Sequence, residues 1–398
     1  MMNRRNFLTN CGIGIGVSLA GLPSFASAAS DPNTPCFVFI NLRGAADGVD
    51  MVRPVFDVGY QNLRSKAPNY LTGLDLPQAS GGLPFKLNPY LSNIHALYNS
   101  GEALLFHAMG LNYSKAASGI RSHFASQQML ESMSDAPYLL KTGFIGRLMA
   151  LRNYTGVAAK STLPLVLESS KRRLALTWSP TTGAMPTEDL IQRVKAMYEE
   201  DRQFLSALNR GYQNALVSLP KPEAELDKAM KNLFSAISFA NEKNIPFISI
   251  EIAGWDAHTD EWGLSSGYTN ALKALDSTVA LVKSTLQGRW AKSCVLVNSE
   301  FGRTAAINGS AGTDHGSGTI AMLLGGAVQG GRVVTKWPGM QENQLFEKRD
   351  LAITLDVQQL QASVLEKMFG LSPAEQELVF SRAMSIDPLL SGSRLFKG

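Results

Sequence analysis

Cysteine is nearly absent: Cys11, Cys36 and Cys294 are the three in 398 residues. They are too few for a disulfide scaffold and match no Cys-x-x-Cys spacing, which excludes a disulfide framework, a cysteine-built zinc site and dithiol redox chemistry. Cys36 and Cys294 fall in apolar, strand-like runs where free buried thiols are expected, although the sequence leaves a mutual disulfide open. An excess of charge of one sign is missing as well. Lysine and arginine number 37 against 33 acids, and without Arg4 and Arg5, which lie in a segment expected to be removed, the balance is 35 against 33. Such a chain carries no electrostatic footprint for nucleic acid or an anionic membrane, and Lys171-Arg172-Arg173 suits at most one small anion. No apolar run approaches the ~20 residues of a bilayer-spanning helix, so no membrane span is expected in the mature chain.

What is present is a chain able to bury a core, with 45% hydrophobic and 18% charged residues. Its first residues read as an address. Asn3-Arg4-Arg5-Asn6-Phe7-Leu8 places an arginine pair ahead of a Gly-rich apolar run, Gly12 to Leu22, and Ala26-Ser27-Ala28 supplies a small-x-small cleavage site. This resembles a twin-arginine export signal over residues 1–28, cleaved near Ala28, and implies a periplasmic or secreted protein. Proteins exported this way leave the cytoplasm folded, often with a metal already loaded.

From residue 29 to 398 short apolar runs alternate with helical stretches without a repeat, which predicts one elaborated α/β domain. The expected strands are Cys36–Leu42, Ala103–Ala108, Leu163–Leu167, Pro246–Ile252, Cys294–Asn298 and Thr319–Leu324, unalternated and therefore buried on both faces. The expected helices are Ser122–Met133, about Thr187 to Val217, Pro222–Asn241, Gly267–Leu286 and Val357–Phe369. Pro68–Pro84 and Ser179–Pro186 read as loops.

Four polar clusters stand beside these strands, three of them directly after a strand's carboxyl end, where open α/β sheets bind ligands. Arg43-Gly44-Ala45-Ala46-Asp47-Gly48 offers a hard carboxylate in Asp47, although an Asp-Gly after a strand is also an ordinary turn. Gly254-Trp255-Asp256-Ala257-His258 can place one oxygen and one imidazole on the same ion if it is a loop. Asn298-Ser299-Glu300-Phe301-Gly302-Arg303 offers Glu300 as a ligand and Arg303 as an anion clamp, or a structural ion pair between them. Gly312-Thr313-Asp314-His315-Gly316, just before Thr319–Leu324, sets Asp314 and His315 between two glycines, which suits a metal or an oxyanion. A nucleophile is sought in Arg121-Ser122-His123-Phe124. Ser122 opens a helix, where the dipole favours an anion or alkoxide, though a serine there also serves as an N-cap; Ser118 and Thr313 are weaker candidates. His95 is expected on a partly exposed helix.

Taken in order, RGAADG, RSHF, GWDAH, SEFGR and GTDHG behind a twin-arginine signal resemble the exported bacterial family known as domain of unknown function 1501, placed in the alkaline-phosphatase and sulfatase superfamily. The resemblance runs from about Phe37 to Phe369. It implies an alkaline-phosphatase-like, three-layer α/β/α sandwich with a mixed central sheet. It also implies divalent metal ions (zinc, manganese or calcium) held by Asp47, Asp256, His258, Glu300, Asp314 and His315. Catalysis would then fall to Ser122 and His123, with Arg43, Arg121 or Arg303 holding the oxygens of a small phosphate or sulfate ester. Phe301 departs from the superfamily, whose later ligand pair is Asp-His. The alternative is a non-catalytic protein of the same fold that binds an exported partner; a polysaccharide-handling role has only five unordered tryptophans behind it.

Overall fold

The computed structural model describes residues 34–77, 82–111, 121–171, 174–178, 188–197, 205, 208, 209 and 225–397. The export signal, Cys11, Ser118, Arg172, Arg173, Ser179–Pro186 and most of the Thr187–Val217 stretch beyond Met197 lie outside them.

Among the described residues the strands are β1 (Phe37–Arg43), β2 (Val52–Arg53), β3 (Leu74–Leu76), β4 (Phe85–Leu87), β5 (Ala103–Gly110), β6 (Gly156–Ala158), β7 (Ala175–Thr177), β8 (Phe247–Ala253), β9 (Cys294–Asn298), β10 (Thr319–Leu324), β11 (Arg332–Val334) and β12 (Leu355–Asp356). Nine form one mixed sheet in the order β11-β5-β10-β9-β1-β8-β6-β7, with β12 beside β5. β1 is parallel to β8 and β9, whereas β10 is antiparallel to both β9 and β5. The carboxyl ends of β1, β5, β8 and β9 and the amino end of β10 therefore share one edge.

Helices cover both faces, so the architecture is a mixed α/β/α sandwich. β1 shows why its sequence runs apolar without alternation. Val38, Ile40 and Leu42 enter one core with α5 (Lys228–Glu242) and α6 (Gly267–Leu286), while Phe37 and Phe39 enter the other with α4 (Phe144–Arg152) and α7 (Val357–Phe369). Every one of these β1 side chains is at most 1% exposed. Shorter helices α1 (Gly48–Met51) and α2 (Ser92–Asn99) and the ten-residue α3 (His123–Ser132) stand around the sheet. Cys36 and Cys294 are free and buried, and burial pushes the Cys36 thiol up to about 11.

Five expected strands and the helices over Gly267–Leu286 and Val357–Phe369 are observed. Leu163–Leu167 is not a strand: Leu165–Leu167 is a single 3-10 turn, with Pro164 before it fixing φ and withholding a donor. Pro68–Pro84 is not wholly loop, because Leu74 and Leu76 pair with Phe85 and Leu87 in a separate three-stranded sheet β2-β4-β3. The stretch from Thr187 buries Ile191 and Val194 but leaves Met197 39% exposed. Among the described residues no helix is long and apolar enough to cross a membrane.

One group at the head of α7 titrates in an accessible range. Asp356 caps that helix, and its carboxyl is pushed up from 3.8 to about 6, chiefly by burial, while the Gln358 and Gln359 N–H groups pull it down. Its folded-state value lies above the unfolded one, so its contribution is complete below about pH 4 and is lost as the pH rises through about 6. Asp356→Asn keeps a capping oxygen and removes the charge. It is expected to match the wild type near pH 4 and to exceed it by about 1–2 kcal/mol at pH 8, read from urea unfolding at both values.

Candidate active site

Five chain segments meet at the shared sheet edge. Beyond β1, Gly44 and Ala45 turn with φ of 123° and 62°, which aims two successive N–H groups at one oxygen, Glu300 Oε1, at 2.8 and 3.2 Å. The turn is tight: a Cβ on Gly44 would lie 2.7 Å from the Asp256 nitrogen, so glycine lets the β1 and β8 loops touch. Glu300, wholly buried after β9, accepts a third bond at the same oxygen from His123 Nδ1 at 2.8 Å. His123 is the first residue of α3.

The three imidazoles are tied alike. His123 Nδ1 faces Glu300, His258 Nδ1 faces Asp314 Oδ1 at 3.0 Å, and His315 Nδ1 faces the Arg121 carbonyl at 3.0 Å. Carboxylates and carbonyls only accept, so each Nδ1 carries the proton and each Nε2 of a neutral ring presents a lone pair. Those Nε2 atoms face one another and Asp256. His315 Nε2 lies 3.0 Å from His123 Nε2, 3.1 Å from His258 Nε2 and 3.1 Å from Asp256 Oδ1. Asp256 Oδ1 is also 2.9 Å from His258 Nε2, and its Oδ2 is 3.4 Å from His123 Nε2.

One ring nitrogen can satisfy one such neighbour, not three, and lone pairs turned on a carboxylate repel it unless positive charge lies among them. His123, Asp256 and His315 each bring a donor atom within 4.8 Å of the others. Nitrogen and oxygen ligands of a tetrahedral zinc stand about 3.3 Å apart, close to the separations here. Metal-bound histidines also tie their second nitrogen to a carboxylate or carbonyl, as all three do. The donor set fits a divalent cation, with Glu300 and Asp314 holding imidazoles instead of facing the centre themselves.

The electrostatics follow these contacts. His123 is held above its usual range, first by the bond to Glu300, against the opposing effect of burial. His315 is lowered, chiefly by burial. Burial works to raise Asp256, but the hydrogen bond and charge of Arg303 outweigh it and the carboxyl is lowered. Asp314 is lowered by the bond from His258.

The structure thus brings together His123, Asp256, His258, Glu300, Asp314 and His315, with Arg303 beneath them. Arg303 is 1% exposed; it donates to Asp256 Oδ1 at 2.7 Å and to Thr313 Oγ1 at 3.1 Å, so it faces inward and not an incoming anion. Arg121 is held by Asp350 and Glu347 at 2.7 and 2.6 Å. Arg43 is looser, 3.5 Å from Glu251, which Lys160 holds at 3.0 Å. Ser122 is exposed at the N-cap position of α3, yet its hydroxyl makes no cap bond. Asp47 makes no hydrogen bond or ion pair with these residues. Fully buried, it caps α1 through the Val49 and Asp50 N–H groups and is paired with Arg64 at 2.5 Å.

Sequence reasoning did not assign Arg64 or Glu261; Thr313, a weaker candidate for the nucleophile than Ser122, has a buried hydroxyl that donates to Glu261. Of the other histidines, His107 is enclosed, donates from Nε2 to the Val52 carbonyl and is pushed down to about 4 by burial; His95 is half-buried on α2 as expected. A groove of about 230 Å³ opens along α3, lined by Arg43, Phe124, Gln127, Gln128 and Tyr138. A slightly larger hollow beside Ser363 and Lys367 is lined by none of the cluster residues.

One family, described as "Protein of unknown function (DUF1501)", has a model that matches residues 190–380, just under half of the chain. Its span includes the Asp256, Glu300 and His315 motifs, while those of Asp47 and Ser122 precede it. No curated protein matches the chain in sequence. Among solved structures the chain is similar to the PsFucS1 sulfatase from Pseudoalteromonas sp., at 13% identity and a TM-score of 0.42 over 92% of this chain and 74% of that one. It is also similar to Ps i-CgsB in complex with k-i-k-neocarrahexaose (14% identity, TM-score 0.41, 87% and 74%). A third is the C-terminal periplasmic domain of EcEptC from Escherichia coli, in complex with Zn (12%, 0.36, 94% and 95%).

The Asp47–Arg64 pair makes a prediction independent of any ligand. Arg64→Met leaves a buried carboxylate unpaired and is expected to destabilise the fold by about 3–5 kcal/mol, whereas Asp47→Asn combined with Arg64→Met recovers part of that loss. Chemical denaturation of the single and double variants measures both.

Proposed function

We propose that this protein is an exported, metal-dependent hydrolase of an anionic ester, a phosphate or a sulfate. The observation that carries the reading is the convergence of His123, His258 and His315 Nε2 on the Asp256 carboxylate, with every Nδ1 already engaged. In this reading His123, Asp256 and His315 hold the cation, His258 stands at its flank, and Glu300 and Asp314 orient the rings; Asp47 belongs to the fold. A divalent cation bound there supplies Lewis acidity toward an ester oxygen and lowers the pKa of a nearby hydroxyl or water.

The remaining chemistry falls to groups of the chain. Ser122 presents an exposed, uncapped hydroxyl at the start of α3, whose aligned peptide dipoles favour negative charge, directly before the ligand His123. Attack by Ser122 Oγ on phosphorus or sulfur forms one oxygen bond as the ester bond breaks, and the hydroxyl proton ends on the departing alkoxide. Water then cleaves the seryl ester, restoring the hydroxyl and releasing the inorganic anion. Arg43, the most loosely paired of the three arginines considered, binds the non-bridging oxygens, and the groove beside it takes the rest of the substrate. The resemblance of the N-terminal segment, up to Ala28, to an export signal supports a reaction in the periplasm or outside the cell.

Protein prepared without chelators is expected to carry about one zinc, manganese or calcium ion per chain by elemental mass spectrometry, and His123→Ala/His315→Ala to lose it. Ser122→Ala should keep the ion and lose ester turnover by about 10³-fold or more. Metal retained in the double variant would sink the assignment. A metal-bound wild type that is inert toward both phosphate and sulfate esters would favour a binding protein.

A further inference from the structure

One buried acid has no part in the chemistry above. Glu261, in the loop after β8, is wholly enclosed; its Oε2 accepts from Thr313 Oγ1 at 2.7 Å and its Oε1 has no hydrogen-bond partner among the described residues. Burial, and then the nearby Asp47, push its carboxyl well up, against the pull of Arg64. An acid kept where its charge is disfavoured costs stability. Its contacts lead in one direction.

Resting on the metal-centre reading of the cluster, we propose that Glu261 is a positioning residue which, through Thr313 and Arg303, fixes the Asp256 carboxylate where it can share a cation with His123 and His315. The Thr313 hydroxyl has one proton. Given to Glu261 Oε2, it leaves oxygen lone pairs for the Arg303 Nε–H at 3.1 Å. Arg303 Nη2 donates to the Thr313 carbonyl, so one residue grips the guanidinium at two points and sets its plane. Nη1 then meets Asp256 Oδ1 at 2.7 Å.

Glu261, Thr313 and Arg303 are each at most 1% exposed, whereas the Asp256 side chain is 45% exposed and free to change rotamer without such a hold. The surrounding backbone is closed by Asp260 N–H to the Ser310 carbonyl, Glu261 N–H to that of Ala311 and Thr313 N–H to that of Ala257, all at 3.0 Å. A Cβ on Gly312 would fall 2.4 Å from the His258 carbonyl carbon, so the two loops are in direct contact. The relay therefore runs through a rigid seam between the loop of His258 and the loop of His315.

The test is Zn²⁺ affinity of the full chain, measured by competition with a chromophoric chelator, with unfolding midpoints recorded in parallel. Thr313→Val removes the hydroxyl at constant shape and is expected to weaken Zn²⁺ binding by about 10–100-fold. Thr313→Ser, which restores the hydroxyl, and Glu261→Gln, which keeps an acceptor oxygen, are expected to bind as the wild type does. Arg303→Lys keeps the charge but cannot make both contacts, and should show the same loss should Thr313→Val fail to fold. A folded Thr313→Val or Arg303→Lys with wild-type affinity, or a loss in Thr313→Val that serine does not rescue, overturns the relay. A wild type that binds no Zn²⁺ overturns the metal-centre reading beneath it.

Discussion

A single carboxylate oxygen ties the site to the fold. Glu300 Oε1 accepts the Gly44 N–H, the Ala45 N–H and His123 Nδ1–H, so the turn after β1, the end of β9 and the start of α3 all close on one buried atom. Removing that acceptor would strand buried donors and free the His123 ring to turn, because the same bond that joins the elements also fixes the tautomer. Ser299 reinforces it from the adjacent position, accepting from the Ala46 N–H at 3.0 Å and donating to the Leu42 carbonyl at 2.7 Å. The edge is built from backbone donors gathered onto the two side chains directly after β9, and the histidines are added to that frame.

Beneath the edge lies an unusual amount of buried charge. Asp47 with Arg64, and Asp50 with Arg53, are pairs whose side chains are at most 4% exposed. Asp50 also accepts from Asn88 and Tyr268, at 2.7 and 2.9 Å, and Arg64 donates to the carbonyls of Ala305 and Thr304. Well-packed apolar groups would fill the same volume at equal or lower cost, so pairs like these are poor devices for stability alone. They hold loops, which offer few backbone partners of their own. Arg64 grips the strand-like segment after Arg303, and Arg303 in turn grips Asp256. The charge network thus transmits the rigidity of the sheet into the connections that carry the imidazoles.

The sequence made the sheet legible where strands are enclosed on both sides, because only continuous apolar runs such as Phe37–Leu42 or Thr319–Leu324 satisfy two cores. The helix Phe144–Arg152 escaped because its apolar residues do not confine themselves to one face, and Pro373–Phe380 escaped although Ser372 and Glu375 form a capping box that the Ser-x-x-Glu spacing announces. At the site, residues after strand ends were readable from position alone. Their division of labour was not. Asp47 and Asp256 look alike in sequence and each meets a buried arginine; what separates them is that Asp47 is enclosed as the cap of α1, whereas the Asp256 side chain is 45% exposed among three imidazoles. Glu261 and Thr313 lie 52 positions apart, a separation at which only the fold could bring them together.

Phe301 joins Glu300 to two of the imidazoles. No imidazole follows Glu300 directly, yet one reaches it through space: His123 bonds Glu300, and its ring packs on Phe301 with centroids 4.9 Å apart. Phe301 also packs on His315, at 5.2 Å, so one aromatic ring stands against both of the imidazoles that face each other. Drawing a donor from α3 has a consequence for the chemistry. Ser122 and His123 are consecutive, so the hydroxyl and the imidazole share one backbone and cannot be set independently. Any shift of α3 that loosens His123 from Glu300 must also move Ser122, which makes the Glu300 contact the joint control on where both the proposed nucleophile and the proposed cation ligand stand.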